Sequence, residues 1–344
     1  MQKHGSRKAV TAKDVAEACG VSQATVSYVI NNSAGGRISE ATRKRILEMS
    51  REMGYCPSQS ARSMRINRAM AVGVVLGGNS LSLGVSHALR GIKRRMDAAG
   101  YAQVLLSDED DVLPGVDYLS AYRAGRIDAL LFLFHDMPDE LIDVLRAQHV
   151  PYLALSEQGI TGEQISLPSG YGEALGDCAA LLRQRGFKRV RYYSLTNGAV
   201  LHSRKFNMFR TTLERVYPEA QLSRVVLRSD GRTDEQLLDS LLEDIQVGEF
   251  DVAITPHARL GWMVQNAIMR DELAMPQRIK HICLSTAHPF TLVYPSITMI
   301  DIPLTQLGEA AACYMLNMLT PGAAESAAVP ATVSCRLRLG LSTM

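Results

Sequence analysis

The stretch that decides the N-terminal fold is Thr11-Ala-Lys-Asp-Val-Ala-Glu-Ala-Cys-Gly20-Val-Ser-Gln-Ala-Thr-Val-Ser-Tyr-Val-Ile-Asn31. Thr11 reads as an N-cap, and Asp14 puts a carboxylate in the first turn, where the helix dipole favours it. Val15, Ala16 and Cys19 recur on one helical face. Gly20 ends the helix, because a left-handed residue costs glycine little. Ser22 can cap a second helix whose apolar face is Val26, Val29 and Ile30. A third helix is predicted from Ser39, with Ile46, Leu47, Met49 and Met53 facing in and Gly54 ending it. Asn31-Asn-Ser-Ala-Gly-Gly36 reads as a loop. Two short helices across a Gly-Val turn make a helix-turn-helix.

Such a unit can lay its second helix in a DNA major groove. Gln23, Ala24 and Tyr28 lie opposite Val26, Val29 and Ile30, and so point outward, toward base edges. Ser22, Thr25, Ser27 and Asn31 are short polar residues suited to phosphate oxygens, and Thr11 joins them as a candidate contact. Charge agrees with this reading. Residues 1–68 hold twelve Lys and Arg against five Asp and Glu, a net +7, while the rest of the chain is at −5. A basic small domain on a mildly acidic large one is the electrostatic footprint of a nucleic-acid binder.

The 344 residues suffice for a small domain plus a large one, and 47% apolar with 21% charged residues is ordinary for a globular protein. No apolar run reaches the eighteen residues of a membrane helix, and the basic N-terminus leads into no apolar signal core. The six cysteines show no Cys-x-x-Cys spacing, which fits a reducing cytoplasm better than a zinc site or a disulfide framework. No nucleophile elbow, P-loop, dinucleotide fingerprint or zinc-protease motif is present, so the chain is expected to be no enzyme, with no cofactor and no metal.

The headpiece stretch, continued through Arg37-Ile-Ser-Glu-Ala-Thr-Arg-Lys-Arg-Ile46 to Met53-Gly-Tyr-Cys-Pro57, resembles the lac repressor/galactose repressor family of bacterial transcription regulators. The resemblance implies a headpiece over residues 1–56, then a hinge helix and linker over 57–68. In that family the hinge folds on DNA and wedges into the minor groove. Met64 then stands where the family has its leucine wedge, Ala61 where two hinge helices touch, and Arg62 within reach of phosphates. The family commonly has arginine where Tyr28 stands. Arginine reads guanine bidentately and tyrosine cannot, so an operator lacking that guanine contact is expected.

From Ala69 the pattern changes to alternating strands and helices. Continuous apolar strands such as Ala71-Val-Gly-Val-Val-Leu76 and Ala129-Leu-Leu-Phe-Leu-Phe134 point to a parallel, doubly wound sheet. A second strand–helix set begins near Tyr171. The expected fold is therefore α/β: an all-α headpiece and hinge, then a two-subdomain doubly wound domain over 69–344, which the family resemblance implies is an effector-binding and dimerisation domain resembling periplasmic binding proteins. Its N-subdomain is placed at about 69–166 and 295–324, its C-subdomain at about 167–294 and 325–344.

A small ligand belongs in the cleft between two such subdomains. In the family it is an effector, often a sugar, held by polar residues, but those positions are poorly matched here. The Arg-x-x-Gly-Phe pattern falls on Lys205-Phe-Asn-Met208-Phe209, and the expected acids near 168, 255 and 285 are missing. Asn79, His135, Arg204, Lys205, His257 and Thr286 remain as candidate effector contacts. They favour an anion, such as a sugar phosphate or a sugar acid, over a neutral sugar. A vestigial pocket is the alternative. A solute-binding protein of the same fold is opposed by the basic headpiece and the lack of an export signal. Trp262 reads as packing, or as a cleft aromatic. The implied partners are operator DNA, a carbohydrate-related effector and a second copy of the chain. Because the apolar heptad tail of the family's tetramers has no counterpart at Leu341-Ser-Thr-Met344, a homodimer is expected. It would be cytoplasmic, and associated with the nucleoid when bound to DNA.

Overall fold

The computed structural model describes residues 10–30, 38–55, 68–76, 83–107, 118–135, 137–162, 166–195, 199–228, 231–270, 279–286, 294–321 and 333–344. Asn31, the hinge candidates Ala61, Arg62 and Met64, and the cleft candidate Asn79 lie outside the described residues. The chain divides into two units, Met1–Met70 and Ala71–Met344.

The first unit contains α1 (Ala12–Cys19), α2 (Gln23–Ile30) and α3 (Glu40–Glu52). Thr11 and Asp14 cap α1 reciprocally. The Asp14 amide donates to Thr11 Oγ1 at 3.3 Å, and the Thr11 amide donates to the Asp14 carboxylate at 2.8 Å. Gly20 follows in the left-handed region at φ 61°. Ser22 Oγ accepts from the Thr25 amide at 3.1 Å, and Ser39 Oγ from the Thr42 amide at 3.3 Å, so each later helix also starts on a hydroxyl. Val15, Ala16, Cys19, Val26, Val29 and Ile46 are buried together, with Leu47, Met49 and Met53 packed around them.

Among the described residues, the second unit holds two six-stranded sheets. The first is built from β1 (Ala71–Leu76), α4 (Leu83–Ala98), β2 (Ala102–Ser107), α5 (Tyr118–Arg123), β3 (Ala129–Leu133), α6 (Asp139–Ala147), β4 (Tyr152–Ser156), β5 (Gly159–Gly162) and β6 (Ser166–Pro168). The strand order is β2-β1-β3-β4-β5-β6. β2, β1, β3 and β4 are parallel, and every residue of β1 and β3 is buried, as a sheet covered on both faces requires. β5 and β6 run antiparallel at the edge, so the first sheet is mixed where a purely parallel one was expected. Gly159 makes that hairpin possible. Its φ is +134°, and a Cβ there would lie 2.0 Å from the Leu167 carbonyl oxygen.

The second sheet collects α7 (Tyr171–Arg185), β7 (Arg189–Leu195), α8 (Ala199–Val216), β8 (Gln221–Leu227), α9 (Asp234–Val247), β9 (Val252–Thr255), α10 (Ala258–Arg270), β10 (Lys280–Cys283), β11 (Thr298–Asp301) and β12 (Arg336–Arg338). Its order is β12-β11-β10-β9-β7-β8, with only β12 antiparallel to its neighbour. The segment from about 295 is expected in the N-subdomain. Instead β11 pairs with β10, and the chain returns only with α11 (Leu304–Leu319), which packs on α4. The two helices meet through small residues. A Cβ on Gly91 would lie 2.0 Å from the Thr305 carbonyl oxygen, and one on Gly308 would lie 2.2 Å from that of Ala88. Glu309 accepts from both Arg94 and Arg95 across the same crossing. No helix among the described residues is long and apolar enough to cross a membrane.

Candidate nucleic-acid interface and cleft

The recognition face is α2. Burying Val26 and Val29 against α1 and α3 turns the opposite side of the helix outward. Gln23 and Ala24 are exposed there, and Tyr28 is 53% exposed, unusual for a large aromatic. Ser22 and Thr25 are bonded to each other through their hydroxyls at 2.8 Å at the start of the helix. They share the N-terminal end with Gln23, where backbone N–H groups also favour phosphate. Thr11 is exposed at the start of α1, its side chain engaged by Asp14. Ser27 is half-buried. Six of the headpiece candidates therefore lie on or beside one helix, fixed by caps the sequence announces.

The cleft candidates are less uniform. By the general rule for open parallel sheets, ligands bind beyond the carboxyl ends of the strands. Lys205 lies there, on α8, and is 4% exposed. Its Nζ donates to Glu157 Oε1 at 2.5 Å and to the Pro256 carbonyl at 3.1 Å. The lysine expected to attract an anion thus already holds a carboxylate of its own chain. Thr286 is structural in this state: its hydroxyl donates to the Ile300 carbonyl at 3.0 Å and accepts from the Ile302 amide, tying the end of β10 to that of β11. His257 precedes α10, and its Nδ1 accepts from the Leu260 amide at 3.3 Å, a capping role. His135 follows β3 with its ring 5.4 Å from that of Phe132. Arg204 is exposed. The structure does not join these residues into one cluster of cations.

Sequence reasoning missed Glu157. It lies in the turn between β4 and β5, 8% exposed. The backbone around it is tied down: its carbonyl accepts from Ser169 Oγ, and the Ser169 amide donates to the Gln158 carbonyl at 2.9 Å. Tyr171 and Tyr192 lie nearby, and burial, with the Glu157 carboxylate as a further cause, raises the pKa of both phenols. Tyr171 Oη donates to the Leu284 carbonyl at 2.7 Å. The available signal was an acid directly before Gln158-Gly159, a turn sequence.

A second buried polar group lies within the second sheet. Thr255 Oγ1 and His281 Nε2 are 3.0 Å apart, and His281 Nδ1 and Gln265 Oε1 are 3.1 Å apart. Burial lowers the His281 pKa to about 3, so the ring is neutral. Trp262 packs on Cys283, Ile297 and Met299, and lines a groove of about 620 Å³ between α9 and α10 whose lining does not include Lys205. No group of three or more His, Cys, Asp or Glu among the described residues is placed to hold a metal.

These features define a class: a basic helix-turn-helix headpiece followed by a two-sheet α/β domain. Residues 11–58 match the family model "Bacterial regulatory proteins, lacI family". The HTH-type transcriptional repressor PurR of Photobacterium profundum is 33% identical over 135 residues, 39% of this chain and 40% of that protein, so the match spans two-fifths of the repressor's length. The HTH-type transcriptional regulator RegA of Clostridium saccharobutylicum is 23% identical over 319 residues, covering 90% of this chain and 93% of that one. Among solved structures, the lac repressor dimer bound to operator and the anti-inducer ONPF has the same fold, with a TM-score of 0.75 and 18% identity over 98% of this chain and 100% of that one. The family match covers the headpiece, residues 11–58, and the likeness to the lac repressor over the rest of the chain is one of fold.

Proposed function

We propose that this chain is a homodimeric transcription repressor that reads a pseudo-palindromic operator with one headpiece per half-site, without catalysis of its own. The carrying observation is α2, which presents Gln23, Ala24 and Tyr28 outward from a capped, packed frame. The PurR and RegA likenesses support regulation of transcription, and a two-fold protein suits a two-fold operator. The hinge candidates Ala61, Arg62 and Met64 would add minor-groove contacts. The protein would act in the cytoplasm, on the nucleoid. Selecting bound sites from random duplexes tests the reading: a two-fold symmetric consensus is expected, and an asymmetric or unenriched pool contradicts it. Sedimentation at micromolar concentration tests the dimer, and a tetramer opposes it.

The large domain is the effector-binding part in this reading, coupled to operator affinity by about 1–3 kcal/mol. An anionic, carbohydrate-related effector draws on Asn79, His135, Arg204, His257 and Thr286. Lys205 supports it less, because Glu157 already matches its charge. That ion pair favours a second reading, in which the cleft needs no free ligand. A thermal-shift screen with sugar phosphates and sugar acids separates the two. A raised melting temperature supports the effector, and none supports the self-contained cleft.

A further inference from the structure

Glu157 and Lys205 are 48 residues apart in the chain and belong to different sheets. Glu157 comes from the turn after β4 of the first sheet. Lys205 comes from α8, which covers the second, and the same ammonium bonds the Pro256 carbonyl beyond β9. Both side chains are nearly out of solvent. A carboxylate and an ammonium separated in a low-dielectric site each carry a large desolvation cost, so the pair is stable only while both partners are present and in contact. A bond made across two sheets exists only when they are close. Its free energy therefore belongs to the closed arrangement of the cleft rather than to the folding of either sheet.

The turn that carries Glu157 is pre-organised. Gly159, two residues on, has no room for a Cβ, and Ser169 bonds the Glu157 carbonyl. The Cys335 amide in turn bonds the Ser169 carbonyl at 2.7 Å, so the segment leading to β12 leans on the same crossover. A tethered group held in place binds as if at high concentration, without the entropic cost a free ligand meets.

We propose that Glu157 is an internal ligand of the regulatory cleft: its carboxylate occupies Lys205 and holds the two sheets closed with no small molecule bound. An anionic ligand then has to displace Glu157, and the closed state is the resting state. Its consequence for operator affinity rests on the DNA-binding reading above; the closure itself does not.

The test uses the full chain. Glu157→Gln keeps the shape and removes the charge, and Lys205→Met removes the other partner. Each is expected to lower the melting temperature by roughly 6–12 °C. Hydrogen–deuterium exchange decides whether the pair acts across the cleft. In both variants the 152–162 segment and the 199–216 helix should exchange faster together, by about ten-fold. Glu157→Gly, which vacates the carboxylate position, should regain melting temperature on addition of propionate, and Lys205→Met should not. If only the substituted segment responds in exchange, the pair is local packing and the proposal falls. It falls equally if propionate stabilises the Lys205→Met variant as much as Glu157→Gly, or neither. Loss of DNA binding by the wild-type chain would sink the functional reading and leave these results standing.

Discussion

Tyr28 stands on α2 with 53% of its surface exposed, on the side away from Val26 and Val29. A tyrosine offers one hydroxyl and a ring, where an arginine offers a planar fork for guanine O6 and N7. Tyr28→Arg is therefore expected to shift the selected half-site toward a guanine at one position, with a discrimination of about 1–3 kcal/mol. Sequencing of selected duplexes checks this, and an unchanged consensus places Tyr28 outside the base-reading set. His281 gives a second prediction. Its folded pKa, lowered by burial to about 3, lies below the ordinary 6.5, so protonation favours the unfolded chain. Its contribution is full above pH 6.5 and is lost as the pH falls from there toward 3. From pH 7 to pH 5 the large domain should lose about 2 kcal/mol by this route. His281→Gln should flatten that slope in urea titrations, and a slope equal to wild type assigns the acid sensitivity elsewhere. The caps Thr11, Ser22 and Ser39 were legible because a cap and its partner lie three residues apart. The partners of Lys205 and Thr286 were not, because Glu157, Ile300 and Ile302 reach them only through the tertiary fold.

At the scale of elements, α4 and α11 cross with their backbones in close approach. Gly308→Ala would drive a methyl group to 2.2 Å from the Ala88 carbonyl oxygen, backbone that cannot yield without moving a helix. It is expected to cost about 1–3 kcal/mol or more. Gly176 in α7 has open space around its Cβ position, and Gly176→Ala should stabilise by about 0.5–1 kcal/mol. Urea midpoints of the two variants should move in opposite directions; movement in the same direction contradicts the packing account. Helices and buried parallel strands were legible from apolar periodicity, as β1 and β3 illustrate. β5 and β6 were not. They are four and three residues long, at a sheet edge, where polar turn residues outweigh any alternation. The place of β11 was not legible, because Thr298–Asp301 carries no mark of which sheet it joins; pairing with β10 decides that.

For the whole molecule, the charge division follows the two units. The net +7 of residues 1–68 predicts DNA affinity that falls steeply and linearly in log–log form as salt rises. The headpiece and the two-sheet class of the large domain could be read from sequence, since local caps and periodicity specify both. The state of the cleft could not, because it depends on one long-range ion pair. The central claim, that this chain reads DNA through its headpiece, is tested most directly by comparing full-length protein with protein lacking residues 1–68 on the selected operator. The full chain should shift the operator at moderate salt, and the shortened chain should not. A shortened chain that still binds the operator specifically would contradict the account.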